Sequence, residues 1–259
     1  MQVGVLLLHG FTSSLDTVNG LVPHLEQLGI PYRMPVLRGH GQTPEALRGV
    51  TWRDWVEDAR EALLELTARG LPVVVVGLSM GGLVALNLAA EHPDSVVGVV
   101  TVAACLEFRH PLIPYLGLLQ RTLRDWPSSP DYADPALKEQ DTNYSYFPLQ
   151  AFASLYAYRE VVKEVLPYLK APLLVIQSTQ DPVVRLDAAE SIRARSGSPF
   201  AQVRWFEVSR HEMMRDVERE QVFEEILAFI ERVEQADFEP CSRLPGTGAV
   251  DALLGSSEA

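Results

Sequence analysis

Val73-Val74-Val75-Val76-Gly77-Leu78-Ser79-Met80-Gly81-Gly82 sets four valines ahead of a serine boxed by glycines, and an apolar segment follows. A run without polar alternation suits a parallel strand covered on both faces. Leu83, Val84, Leu86 and Leu88 then continue at mixed helical spacing. Gly77-x-Ser79-x-Gly81 between them fits a sharp strand-to-helix turn, where side chains larger than hydrogen would collide. Such a turn presents Ser79 at the carboxyl edge of a sheet, with the first amides of the helix aimed at whatever the hydroxyl attacks. The plainer alternative is an ordinary turn with a capping serine.

Working outward, the chain has 259 residues, 47% of them hydrophobic, enough to bury a substantial core as one α/β domain with an insertion. A formal charge of −12, with no compact basic run, argues against nucleic acid and against strong membrane binding, and favours a small or neutral substrate. The two cysteines, Cys105 and Cys241, are far apart, suggest neither a disulfide framework nor a metal site, and favour a reducing compartment. Val3–Leu8 has no basic segment before it and no cleavage site after it, and it is too short to span a membrane. The expected location is cytoplasmic, as a monomer or small homo-oligomer.

In chain order, residues 3–8 read as a strand ending at His9-Gly10-Phe11-Thr12-Ser13-Ser14, and Val18, Leu21, Val22, Leu25 and Leu28 as a helix stopped by Gly29. Residues 31–37 give a second strand before Arg38-Gly39-His40-Gly41. Trp52, Trp55, Val56, Ala59, Leu63 and Leu66 mark a helix from near Thr51 to Gly70. Further strands are expected at 95–102, 173–177 and 203–208, and a last helix carries Val222, Phe223, Ile226, Leu227, Ile230 and Val233. Alternating strands and helices imply a mostly parallel, doubly wound sheet with right-handed crossovers.

Residues 106–168 differ: they lack strand-like runs and hold seven of the eight tyrosines, Tyr115, Tyr132, Tyr144, Tyr146, Tyr156, Tyr158 and Tyr168. With Phe108, Trp126, Phe147 and Phe152 they either line an apolar cavity beneath a helical cap or pack only against one another. The expected division is a core of 1–105 and 169–234, a cap of 106–168, and a disordered tail of 235–259, rich in proline, glycine and serine.

A serine hydroxyl needs a base, and the base needs a group that orients it and stabilises its charge. Of six histidines, His211 follows the last expected strand and precedes the last helix, which puts it at the edge expected for Ser79. Asp181 sits in the turn after the fifth strand, at the same edge, whereas Asp187 falls on the next helix. Taken singly, His211 is a loop histidine and Asp181 a turn former. The chain order Ser79, Asp181, His211 distinguishes them.

On Leu8-His9-Gly10-Phe11-Thr12, Arg38-Gly39-His40-Gly41, Gly77-Leu78-Ser79-Met80-Gly81-Gly82, Gln180-Asp181-Pro182-Val183-Val184 and Ser209-Arg210-His211-Glu212, the chain resembles the α/β-hydrolase superfamily, in its small bacterial carboxylesterase and monoacylglycerol lipase group. The resemblance implies an α/β-hydrolase fold with an inserted helical cap and a triad of Ser79, Asp181 and His211. It implies an oxyanion hole from the backbone N–H groups of Phe11 and Met80, with His9 shaping the loop. Three departures stand out. The chain starts on what would be the third strand of the full fold, so the two before it are expected to be short, missing or lost. Ser13-Ser14 stands where many relatives have a glycine, and the cap, which sets substrate choice, matches least.

The expected activity is hydrolysis of carboxylic esters through an acyl-enzyme, on an acyl chain or monoacylglycerol substrate. No cofactor or metal is expected, because neither the cysteines nor the histidines have ligand spacing. Thioesterase, carbon–carbon bond hydrolase and cofactor-free haloperoxidase chemistry use the same triad, and a non-catalytic ligand receptor would keep the fold without turnover.

Overall fold

The computed structural model describes residues 1–115, 123–129 and 132–236. The proposed tail lies outside the described residues from 237 onward. The elements in chain order are β1 (Gly4–Leu8), α1 (Val22–Gln27), β2 (Tyr32–Arg33), α2 (Trp52–Thr67), β3 (Val73–Leu78), α3 (Met80–Glu91) and β4 (Val96–Val102). There follow β5 (Asp125–Pro127), α4 (Pro135–Glu139), β6 (Tyr146–Pro148), α5 (Leu149–Val165), β7 (Leu173–Ser178), α6 (Asp187–Arg195), β8 (Ala201–Phe206) and α7 (Arg219–Glu234).

Six strands form one sheet in the order β2-β1-β3-β4-β7-β8, and every pairing in it is parallel. The fold is that of an α/β-hydrolase. Its valine-rich strands are buried on both faces, and their side chains divide by the period of two. Leu6, Leu8, Val73 and Val75 enter one core with α2, α3 and α5, whereas Val5, Leu7, Val74 and Val76 enter a second with α7. The chain runs outward from β1 in one direction to β2 and in the other to β3, so the strand order reverses between β1 and β3. Loops at that point diverge and leave a crevice.

Several expected elements change extent for local reasons. The second strand shrinks from residues 31–37 to Tyr32–Arg33, since Pro31 and Pro35 flank it and proline has no amide to donate to the ladder. The first helix begins at Val22 after two short 3-10 turns, Leu15–Thr17 and Asn19–Leu21, because Gly20 and Pro23 interrupt an earlier start. The last strand lies at Ala201–Phe206, in six-residue register with β7, and Val208 falls beyond it. The helix near Thr51 starts as expected: Thr51 N–H donates to Asp54 at 2.8 Å in a capping box.

The insertion is not wholly helical. β5 and β6 pair as an antiparallel ribbon three residues long, too brief for its alternation to be visible in the sequence. Its last helix, α5, packs into the main core through Leu149, Phe152, Leu155, Tyr158 and Val162. By packing, α5 therefore joins the body of the fold.

Gly98 in β4 lies under α7: a Cβ there would stand 2.9 Å from Val233 Cγ2 and 3.2 Å from Phe229 Cε1. Gly98→Val should push α7 off the sheet and lower stability by about 1–3 kcal/mol, measured by urea denaturation with the secondary structure retained.

Candidate active site

β3 ends at Leu78 and α3 begins at Met80, so Ser79 alone makes the turn, with φ 52° and ψ −110°. A non-glycine residue there is strained, and the surrounding packing has to hold it. Ser79 N–H donates to Val102 O at 2.8 Å and Gly82 N–H to Ser79 O at 3.1 Å. The glycines on either side leave no room for anything larger. A Cβ on Gly77 would lie 2.1 Å from Gly81 O, and one on Gly81 would lie 2.3 Å from Leu8 O.

His211 Nε2 lies 3.0 Å from Ser79 Oγ, and its Nδ1 lies 2.9 Å from Asp181 Oδ2. These side chains come from loops after β3, β7 and β8 and meet at the carboxyl edge of the sheet. Asp181 is fully buried, yet its charge is well solvated by protein. Oδ1 accepts from the Val183 and Val184 amides at 2.8 and 2.9 Å, and Oδ2 also accepts from Gln177 Nε2 at 3.0 Å. Burial opposes ionisation, but the His211 charge and these hydrogen bonds outweigh it and hold the carboxyl below the usual carboxylate range. Burial likewise opposes a charge on His211, and Asp181 outweighs it, raising the imidazole above its ordinary value. The pair can therefore accept a proton at Nε2 and stabilise the imidazolium that results.

Sequence reasoning did not single out the groups that fasten the His211 loop. Glu218 accepts from the Val208 and Ser209 amides at 3.1 and 2.6 Å, and Asp216 accepts from the Arg210 amide at 2.8 Å. Asp216 also accepts from Ala133 N–H of the insertion at 2.8 Å. Both carboxylates precede α7, where an acidic residue reads equally well as a helix-start signal. Gln177 carried no signal beyond its place at the end of β7.

Met80 is the first residue of α3, so its N–H has no carbonyl a turn earlier in the helix to donate to. Phe11 follows β1 and lines the cavity beside Ser79. Thr12, with φ 66°, reverses the chain after it, and Tyr144 N–H donates to Thr12 O at 2.8 Å. His9 is a structural part of this loop. Its Nε2 accepts from the Leu37 amide at 3.0 Å, and its Nδ1 lies 2.9 Å from Gly10 O, which together require the neutral ring. Burial pushes its pKa down to about 4. His40, 4.9 Å from His9 between ring centres, is pushed down to about 3, first by burial and then by His9. The remaining histidines stand elsewhere: His24 is near Glu220, His92 near Glu91, and His110 accepts from the Leu112 amide.

A cavity of about 130 Å³ opens over Ser79 and His211. Its lining is mixed: Phe108, Phe147, Phe152, Leu155 and Val183 are apolar, and Thr12, Ser128, Asn143 and Glu212 are polar. Among the described residues no tyrosine lines it. Tyr158 is core, Tyr144 OH donates to Gly39 O at 3.1 Å, and Tyr132 OH donates to Asp141 at 2.6 Å. Both alternatives for the aromatics thus apply in part: the phenylalanines line the cavity and Tyr132, Tyr144 and Tyr158 pack, whereas Tyr115 is exposed. Cys105 also lines the cavity, but burial pushes its thiol up to about 12, so it is no rival nucleophile. Among the described residues no three His, Cys, Asp or Glu side chains gather to hold a metal, and no helix is long and apolar enough to cross a membrane.

Residues 2–218 match the family described as serine aminopeptidase, S33. The chain is 26% identical over 231 residues to a carboxylesterase of Bacillus subtilis (strain 168), covering 89% of this chain and 93% of that protein. It is 29% identical over 230 residues to a thermostable monoacylglycerol lipase of Bacillus sp. (strain H-257), covering 88% and 90%. A solved structure from work on the metagenome-derived lipolytic enzymes LipS and LipT superposes with a TM-score of 0.84 at 31% identity, covering 89% of this chain and 94% of that one.

Because His9 and His40 are held neutral in the fold, their contribution to stability is complete above about pH 6.5 and is lost as pH falls toward their folded values near 4 and 3. Urea denaturation should show unfolding free energy dropping on the order of 3 kcal/mol per ring between about pH 6.5 and 4. In His9→Asn that slope should lose about one proton.

Proposed function

This chain belongs to the serine aminopeptidase S33 family, and on that premise we propose that Ser79, His211 and Asp181 act as nucleophile, general base and orienting acid in the hydrolysis of carboxylic esters. The protein is a serine ester hydrolase. The observation that carries the assignment of roles is the continuous path from Asp181 through both nitrogens of His211 to Ser79 Oγ, at 2.9 and 3.0 Å.

Ser79 Oγ attacks the ester carbonyl carbon while His211 Nε2 takes its proton. The carbonyl oxygen gains the negative charge, and the backbone N–H groups of Phe11 and Met80 stabilise it as the oxyanion hole. As the intermediate collapses, the bond to the alcohol oxygen breaks and His211 returns the proton to that oxygen. Water then attacks the acyl-enzyme, gives its proton to Nε2, and the acid leaves as Ser79 recovers its hydrogen. Asp181 stays ionised throughout and fixes the imidazole tautomer.

The phenylalanines in the cavity lining support an acyl chain as the group bound there, and the lipolytic relatives support a monoacylglycerol as substrate. The body of the fold carries the triad, and residues 106–168 supply the cap over it, with α5, their last helix, packed into that body. The widely separated cysteines fit a cytoplasmic setting.

Assayed on nitrophenyl esters and monoacylglycerols, Ser79→Ala should lower kcat by on the order of 10⁵ or more with little change in melting temperature. Fluorophosphonate labelling should vanish in Ser79→Ala and persist in Ser14→Ala. An esterase rate in Ser79→Ala equal to that of the unmodified protein rejects the assignment. Asp181→Asn should cost about 10⁴ through the wrong tautomer. Asp187→Asn should cost nothing, since Asp187 is exposed and pairs only with Arg185 among the described residues. A large loss in Asp187→Asn alone would move the acid role there. Activity should rise with pH through a limb above the ordinary imidazole value of 6.5, because His211 must be neutral to act.

A further inference from the structure

Glu212 follows His211 directly, and its side chain is buried, with the residue 9% exposed. Its Oε1 accepts from Asn143 Nδ2 at 3.0 Å. The other oxygen of the carboxyl, Oε2, is buried without a partner, and so is the other polar atom of the amide, Asn143 Oδ1. Each unsatisfied atom belongs to a group already joined to the other through Asn143 Nδ2 and Glu212 Oε1, and leaving both buried without a partner is costly. As a carboxylate, Glu212 offers only acceptors, and Asn143 Oδ1 is an acceptor too. One proton resolves both deficits, because a carboxylic acid and a primary amide present complementary donor and acceptor pairs.

We propose that Glu212 and Asn143 form an uncharged acid–amide pair, with Glu212 Oε2 donating to Asn143 Oδ1 and Asn143 Nδ2 donating to Glu212 Oε1, which ties the insertion to the loop carrying His211. Glu212 is then a positioning residue. It anchors part of the cavity lining, to which both residues contribute, without placing a second negative charge beside the imidazole.

Burial, more than the neighbouring charges, favours the acid form. Burial first, then the Asp141 carboxylate, push the Glu212 carboxyl above its ordinary value, while His211, Asn143 and Arg215 pull the other way. Arg215 is already engaged by Asp16 at 3.1 Å and by Asp141 at 3.6 Å. Tyr132 faces the same cluster, and its hydroxyl is occupied by Asp141. Asp216, on the same loop, is taken up by backbone amides. Among the described residues, no cation is dedicated to Glu212.

Glu212→Gln decides the matter, since the amide supplies an N–H where the acid O–H would stand and preserves both hydrogen bonds at every pH. Carboxyl ¹³C NMR of glutamate-labelled protein, with Glu212→Gln identifying the signal, should show Glu212 protonated at about pH 7; titration with ordinary glutamates near about 4.3 overturns the proposal. A carboxyl whose folded pKa is raised contributes its full stability below its unfolded value and loses it as pH rises through the folded one. Glu212→Gln should therefore melt with the unmodified protein near about pH 4 and above it at about pH 9, and failure of this variant to fold would also overturn the pair.

The kinetic arm rests on the hydrolase assignment; the NMR and melting arms do not, so the two ideas fail separately. In kcat/KM against pH, the His211 limb of Glu212→Gln should coincide with that of the unmodified protein. A limb displaced downward, by on the order of one unit, would mean that a charge had been removed from beside His211 and would reject the pair.

Discussion

Everything at the reactive end of this molecule depends on how closely three backbones approach one another where β1 and β3 end and α3 begins. The Leu8 carbonyl oxygen would lie 2.3 Å from a side-chain carbon on Gly81, and the Gly81 oxygen 2.1 Å from one on Gly77. That crowding drives Ser79 into a left-handed backbone conformation that a serine does not adopt freely. The compensation is spread over the fold: the turn is anchored to the β4 ladder through Val102, and the strands beneath are buried on both faces. Strain at one residue is thus held by the largest apolar core in the chain, which is why a hydroxyl can be presented rigidly at a sheet edge.

Around this turn, electrostatics is arranged by burial and by hydrogen bonds more than by ion pairs. The two histidines nearest the loop after β1 are kept uncharged, His9 by an amide that needs its Nε2 lone pair and His40 by its surroundings. The Cys105 thiol in the cavity wall is also kept neutral. Asp181 keeps its charge because protein donors replace water around it. His211 is consequently left as the basic group next to Ser79, and its partner carboxylate governs its proton affinity.

The insertion is bound to this arrangement at its start and along its middle. Residues Glu107 to Arg109 pair with the backbone that follows Asp181, through Arg109 N–H to Val183 O at 2.8 Å and Arg185 N–H to Glu107 O at 2.9 Å. Farther along, Tyr144 reaches the loop after β1, and Ala133 reaches Asp216 beside His211. The loops after β1, β7 and β8 therefore also touch the segment that shapes the cavity, and changes in that segment are expected to affect both binding and alignment.

The sequence alone carried the periodicities: four valines without alternation announce a doubly covered strand, and Gly77, Ser79 and Gly81 announce the turn, because backbone sterics at that point admit few residues. It also placed Asp181 and His211 at strand ends, since a parallel sheet aligns every carboxyl terminus on one rim. Short or interrupted elements were not legible. β2 is two residues held between flanking prolines, β5 and β6 are three residues each, and α5 joins the core although its sequence resembles the rest of the insertion. The pairings that no local pattern encodes were decided by tertiary structure alone. These include Gln177 on Asp181, Glu218 on the Ser209 amide, and Asn143 with Glu212 across 69 positions. Such contacts depend on which side chains meet once the core is packed, and a hydrogen bond between distant residues leaves no periodic trace in the chain that makes it.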